Sequence, residues 1–122
     1  MADELTVGLT LDYSKGELSG SAPAVSGVLA TLTGSVLTHA VQSIGTSKEN
    51  LLLSADHGTL GLVRVKNLDA TNYVSFGADA DSPFLELKKG ESAQFRLSRA
   101  ISAISAKANT AAVKVEYWVF DD

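Results

Sequence analysis

The chain has 122 residues, a formal net charge of −4, two His and no Cys. That length implies one ordinary domain, large enough to bury a core without disulfides or metal. The missing Cys excludes a disulfide framework, a thiolate zinc site and a Cys nucleophile.

The mild acidity argues against nucleic acid, whose binders need a basic face. No run of about 18 apolar residues predicts a membrane span. The start, Met1-Ala2-Asp3-Glu4-Leu5, carries acids where a signal peptide carries a basic segment. With 45% hydrophobic and 20% charged residues, the composition is that of a folded chain.

In chain order, residues 5–13 alternate strictly. Leu5, Val7, Leu9, Leu11 and Tyr13 fall on one face and Thr6, Thr10 and Asp12 on the other, the pattern of a half-buried strand. Ser14-Lys15-Gly16-Glu17 reads as a turn. Residues 19–34 are poor in charge and ambiguous. Val25, Val28, Leu29 and Leu32 approach helical spacing, but β-branched residues, Gly27 and Gly34 disfavour a helix. We read two strands, 25–33 and 35–44, around a Gly34-Ser35 turn, with a helix as the alternative.

Leu51-Leu52-Leu53 is expected to be a short buried strand, and residues 60–67 an alternating one. Asn67-Leu68-Asp69-Ala70-Thr71-Asn72 is dense in residues that bond their own backbone, which predicts a tight corner. Further strands are expected at 73–76, 84–88 and 91–97, the last two joined as a hairpin at Lys89-Gly90. Residues 101–106 and 111–120 complete the set. In the final strand Val113, Val115, Tyr117 and Val119 share one face, and Lys114, Glu116 and Trp118 the other. This strand is expected to be paired inside a sheet. The sum is an all-β chain, a single antiparallel β-sandwich or jelly-roll-like domain over 1–122, with about nine to ten short strands.

Four stretches carry a resemblance. They are Val41-Gln42-Ser43-Ile44-Gly45-Thr46-Ser47-Lys48-Glu49-Asn50-Leu51, Lys66-Asn67-Leu68-Asp69-Ala70-Thr71-Asn72-Tyr73-Val74, Leu87-Lys88-Lys89-Gly90-Glu91, and Ala106-Lys107-Ala108-Asn109-Thr110-Ala111-Ala112-Val113-Lys114-Val115-Glu116-Tyr117. In this order they resemble a family of small structural proteins of tailed-bacteriophage virions. None of the four stretches carries chemistry; each keeps a shape. Residues 1–40 match less well and form a more variable, candidate interaction segment.

The resemblance implies a virion component with a β-sandwich fold. The leading expectation is a capsid decoration (cement) protein that binds and stabilises the head shell as a homo-oligomer, with a trimer favoured. Its partner would be the major capsid protein or another virion protein. It would be made in the host cytoplasm and would sit on the capsid surface. The alternative is a tail or tail-fibre protein, an adaptor or a carbohydrate-binding module.

Candidate sites are few. His39 and His57 lack the converging ligands a metal site needs. Asp79, Asp81, Asp121 and Asp122 invite a calcium reading, but the full calcium-loop pattern is missing. No Gly-x-Ser-x-Gly elbow and no phosphate loop is present. The expectation is therefore no enzyme, no cofactor and no metal. The remaining candidates are contact residues. Trp118 and Phe120 face away from Tyr117 and suit a subunit or capsid interface, where aromatics concentrate. Arg64, Lys66, Arg96 and Arg99 are expected to share a basic outer face.

Overall fold

The computed structural model describes residues 4–122, and their side chains except those of residues 4 and 28–31. The reading of residues 1–3 lies outside these. Ten strands and no helix are found among the described residues, so no helix is long and apolar enough to cross a membrane. The chain falls into two compact units, Met1–Thr33 and Gly34–Asp122.

The first unit is a long hairpin. Strand β1 (Glu4–Lys15) pairs antiparallel with β2 (Leu18–Thr31). Gly16 turns at φ 58°, which places a glycine at the first central position, as a type II′ hairpin turn requires. Two register shifts interrupt the ladder, between Val7 and Leu9 and between Leu9 and Leu11. Each places an extra residue in β2. Gly27, at φ 67°, lies in one, and Pro23 lies in the other. Proline is tolerated there because a bulge residue owes no hydrogen bond to the ladder. The shifts keep the apolar sets in register: Leu9 opposes Val25 and Leu11 opposes Ala22. Without them, a period-two ladder would turn the apolar side chains of the two strands to opposite faces.

This hairpin corrects two expectations. The expected strand does not begin at 25 and the stretch is not helical: residues 19–31 belong to one strand, Leu18–Thr31, whose partner is β1, and residues 32–34 lie beyond its end. Nor are the apolar residues of β1 uniformly half-buried. Leu9, Leu11 and Tyr13 are exposed at 56%, 61% and 47%.

The second unit is a β-sandwich. Its strands are β3 (Leu37–Ile44), β4 (Glu49–Asn50), β5 (Leu60–Asn67), β6 (Val74–Gly77), β7 (Leu85–Leu87), β8 (Ser92–Arg96), β9 (Ser105–Ala108) and β10 (Val113–Asp121). They form two four-stranded antiparallel sheets, β3-β10-β5-β8 and β4-β9-β6-β7. Strands pair first with last: β3 with β10, β4 with β9, β5 with β8, β6 with β7. This is one long ribbon of strand pairs wound around a core, the jelly-roll topology.

Alternation explains the core. Val63 and Val65 of β5, and Val113, Val115, Tyr117 and Val119 of β10, point inward from one sheet. Val74 and Phe76 of β6, Leu87, Ala106 and Ala108 meet them from the other. Each fully buried Val contributes about 1.5–3 kcal/mol. Strand β10 is central, paired on both sides, as expected.

The corner at Asn67 joins the sheets. Asn67 is fully buried. Its Nδ2 donates to the Asn72 carbonyl oxygen at 2.9 Å and to that of Leu87 at 3.0 Å. Its Oδ1 accepts the Asp69 N–H at 2.8 Å. One side chain at the end of β5 thus holds the loop entering β6 and the end of β7. Asp69 closes the loop, its Oδ2 accepting the N–H groups of Asn72 at 2.6 Å and Thr71 at 3.0 Å. Those bonds favour the carboxylate and hold its pKa below the ordinary value.

Three expected elements differ. Leu51-Leu52-Leu53 is not a strand, because side chains take the backbone groups of Leu52. The Leu52 N–H goes to Gln42 Oε1 at 2.8 Å, and the Leu52 carbonyl oxygen accepts the Tyr117 hydroxyl at 2.7 Å. Leu51 is buried and Leu52 is 72% exposed. Residues 101–106 shift to β9 at Ser105–Ala108. Finally, β7 and β8 do not form a hairpin, since they lie in different sheets. The Glu91 N–H donates to the Lys88 carbonyl oxygen at 3.0 Å, and Gly90 sits at φ 74° as the third residue of the turn. That is a type II arrangement, whose twist splays flanking strands and does not pair them.

Asn67→Ala orphans two carbonyls and an N–H. It should lower stability by about 2–4 kcal/mol, read as a fall in the thermal midpoint; an unchanged midpoint contradicts the corner's role. Asp69 has its pKa lowered in the folded state, so its contribution is present above the unfolded pKa and lost as the pH falls through the folded one. Asp69→Ala should therefore lose less stability than the native chain between about pH 5 and pH 2, read by thermal melts across that window.

Candidate interaction face

The outer surface of the β3-β10-β5-β8 sheet gathers most of the expected contact residues. Because the ladder is antiparallel, side chains directly opposite share a face. His39 opposes Trp118, Trp118 opposes Arg64, and Arg64 opposes Gln94, making one row across four strands. The next row runs Val41, Glu116, Lys66 and Ser92. Phe120 opposes Leu37 beyond the first row.

Trp118 is enclosed on both ring faces. The His39 ring stacks on it with centroids 4.4 Å apart and planes 13° from parallel. Arg64 Cζ lies 5.4 Å from the ring centroid, within the range of a cation–π contact. His39 Nε2 also lies 2.9 Å from Glu116 Oε2. Leu37 and Val41 remain 48% and 54% exposed on the same face.

Arg64, Lys66 and Arg96 are all exposed there. Arg96 is drawn to the edge, its Nη1 3.1 Å from Asp122 Oδ2. Arg99 follows β8 and reaches the same oxygen at 3.8 Å. The structure thus brings Trp118, Phe120, Arg64 and Lys66 together and places Arg96 and Arg99 around Asp122. The parts missed by sequence were His39, Leu37 and Val41. Their alternation along β3 was legible, but their partner strand was not.

The acids considered for calcium have other partners. Lys48 Nζ lies 3.1 Å from both Asp79 Oδ1 and Asp81 Oδ2, and Lys107 Nζ lies 3.3 Å from Asp81 Oδ1. Asp79 has its pKa lowered first by the Asp81 backbone N–H and then by Lys48, and Asp81 by Lys48 and then Lys107. Asp121 Oδ1 accepts the Gly58 N–H at 3.0 Å. A hollow of about 400 Å³ beside Lys48, Asp79 and Ser105 is wide open to solvent. His57 pairs with Thr38, its Nε2 2.8 Å from the hydroxyl, and no bond to Asp56 accompanies that pairing. No group of three or more His, Asp or Glu able to hold a metal occurs among the described residues.

No family model, curated protein or solved structure matches the chain.

Trp118 is the only Trp, so its emission reports on the stack alone. His39→Ala should increase acrylamide quenching of that emission by uncovering one ring face. Arg64→Ala should uncover the other and lower stability by about 0.5–1 kcal/mol. Quenching equal to the native chain in both variants contradicts the enclosure.

Proposed function

We propose that this chain is a structural protein of a tailed-phage virion: a capsid decoration protein that binds the head shell as a closed oligomer. The observation that carries the reading is a small jelly roll presenting two exposed apolar surfaces, one on the hairpin and one on the outer sheet face. Apolar area of this kind on a small domain marks association.

The segments that resemble the phage family support the same role. The side chains of Asn67 and Asp69 are spent on backbone hydrogen bonds, and Asn72 Oδ1 accepts the Thr110 hydroxyl at 3.1 Å, which together hold a rigid corner. A rigid scaffold with flat faces suits a lattice, where many weak contacts multiply through avidity. A homotrimer suits local three-fold positions because its symmetry is closed.

The purified protein should size as an oligomer and cosediment with tailed-phage heads that lack it. Binding should raise the temperature at which those heads release their genome. A protein that binds tails and ignores heads overturns the decoration role. A monomer with affinity for neither overturns the virion assignment.

A further inference from the structure

We propose that the outer face of the β3-β10-β5-β8 sheet recognises carboxylates, and that Arg64, Lys66 and Lys114 on it bind an acidic surface of a head-shell protein.

The three cations are neighbours by register. Arg64 and Lys66 stand two residues apart on β5 and share a face, which sets them about 7 Å from one another. Lys66 opposes Glu116. Lys114, two residues before Glu116, is therefore the diagonal neighbour of Lys66, at about 7–8 Å. All three are exposed. Like charges so placed repel, and an anion set among them removes that cost.

The fold supplies no such anion. Among the described residues no carboxylate forms an ion pair with Arg64, Lys66 or Lys114. Glu116 is the one acid at the outward positions of the four strands. It is turned to His39, its Oε2 2.9 Å from Nε2. Arg96, the fourth cation of the face, is drawn to Asp122.

Arg64 is ordered without being used up. Its Cζ lies 5.4 Å from the Trp118 ring centroid, and no ion pair occupies its guanidinium among the described residues. A stacked guanidinium keeps its in-plane donors, and that planar fork matches a carboxylate. Ordering it beforehand lowers the cost of binding.

The composition of the face selects protein over nucleic acid. It carries four cations and one carboxylate on a chain whose net charge is −4, so it is a basic spot on an acidic molecule. Three unpaired cations neutralise few of the closely spaced phosphates of a duplex. Leu37 and Val41 are exposed on the same face. They find no partner on a phosphate backbone and do find one on a protein surface, much of which is apolar. That the acidic protein belongs to the head shell rests on the role proposed above; the carboxylate chemistry does not.

The test uses the full-length chain and tailed-phage heads that lack it. Arg64→Gln/Lys66→Gln/Lys114→Gln should weaken cosedimentation with heads at least about tenfold, with cooperative melting retained. Lys66→Gln/Lys114→Gln leaves the Trp118 stack in place and should weaken binding several-fold; it serves should the triple variant fail to fold. Lys88→Gln/Lys89→Gln removes two exposed charges at the turn after β7 and should bind as the native chain does. Raising salt from about 50 to about 300 mM should weaken the native chain more than the face variants. A soluble Glu/Tyr copolymer should bind the native chain more tightly than a DNA duplex does, and should not bind the triple variant.

Heads bound equally by the native chain and the face variants overturn the inference and leave the decoration role standing. An equal loss in the Lys88/Lys89 variant overturns it too, as does tighter binding to the duplex. A face variant that dissociates an oligomer of this chain makes the occupant a second copy, with the same consequence. A native chain that ignores heads but binds the copolymer through these residues sinks the head-shell role and keeps the carboxylate face. One that ignores the copolymer as well loses both.

Discussion

A single buried amide organises the sandwich. Asn67 ends β5 in one sheet, yet its side chain bonds backbone groups that lead into β6 and out of β7 in the other. Burying an amide without partners costs about 1–3 kcal/mol in proteins. Here both Nδ2 protons and Oδ1 are used, so that cost is offset only in this one geometry. Hydrophobic burial alone would tolerate a sliding contact between sheets. The polar lock removes that freedom, and Val65, Val74 and Val115 then pack at one fixed register.

A second lock works at the opposite flank. Gln42 of β3 bonds Glu49, Asn50 and Leu52, while the Tyr117 hydroxyl reaches the Leu52 carbonyl oxygen. Burial is the main cause that raises the Tyr117 pKa, so the hydroxyl stays a donor. Between these locks the core is held at one register. What remains available is surface: the outer sheet face and the hairpin. A molecule with a fixed scaffold and open apolar faces is suited to assembly, and assembly on a phage head is the role we propose for it.

Much of this was legible in the sequence where the pattern was local. The strict alternation in β10 named its buried and exposed faces residue by residue. The density of Asn and Asp from Asn67 to Asn72 named the corner. Trp118, Arg64 and Lys66 were assigned to an outer face by parity alone. What parity cannot supply is the partner strand. Leu5 to Tyr13 read as half-buried because alternation reports amphipathicity, not what covers the apolar side. The strand after Leu18 was read as starting only at residue 25 because bulges at Pro23 and Gly27 break its period. Leu51-Leu52-Leu53 looked like a strand, and only the reach of Gln42 and Tyr117 explains why it is not. Lys89-Gly90 looked like a hairpin, but a type II turn sends its two strands to different sheets.

The central claim is that this jelly roll is a building block of the virion shell. A reconstruction of the intact phage particle at a resolution that separates strands tests it most directly. The account predicts sandwiches on the outer surface of the head, in closed rings. Heads whose outer surface carries no such density, from particles known to incorporate the protein elsewhere or not at all, would contradict it.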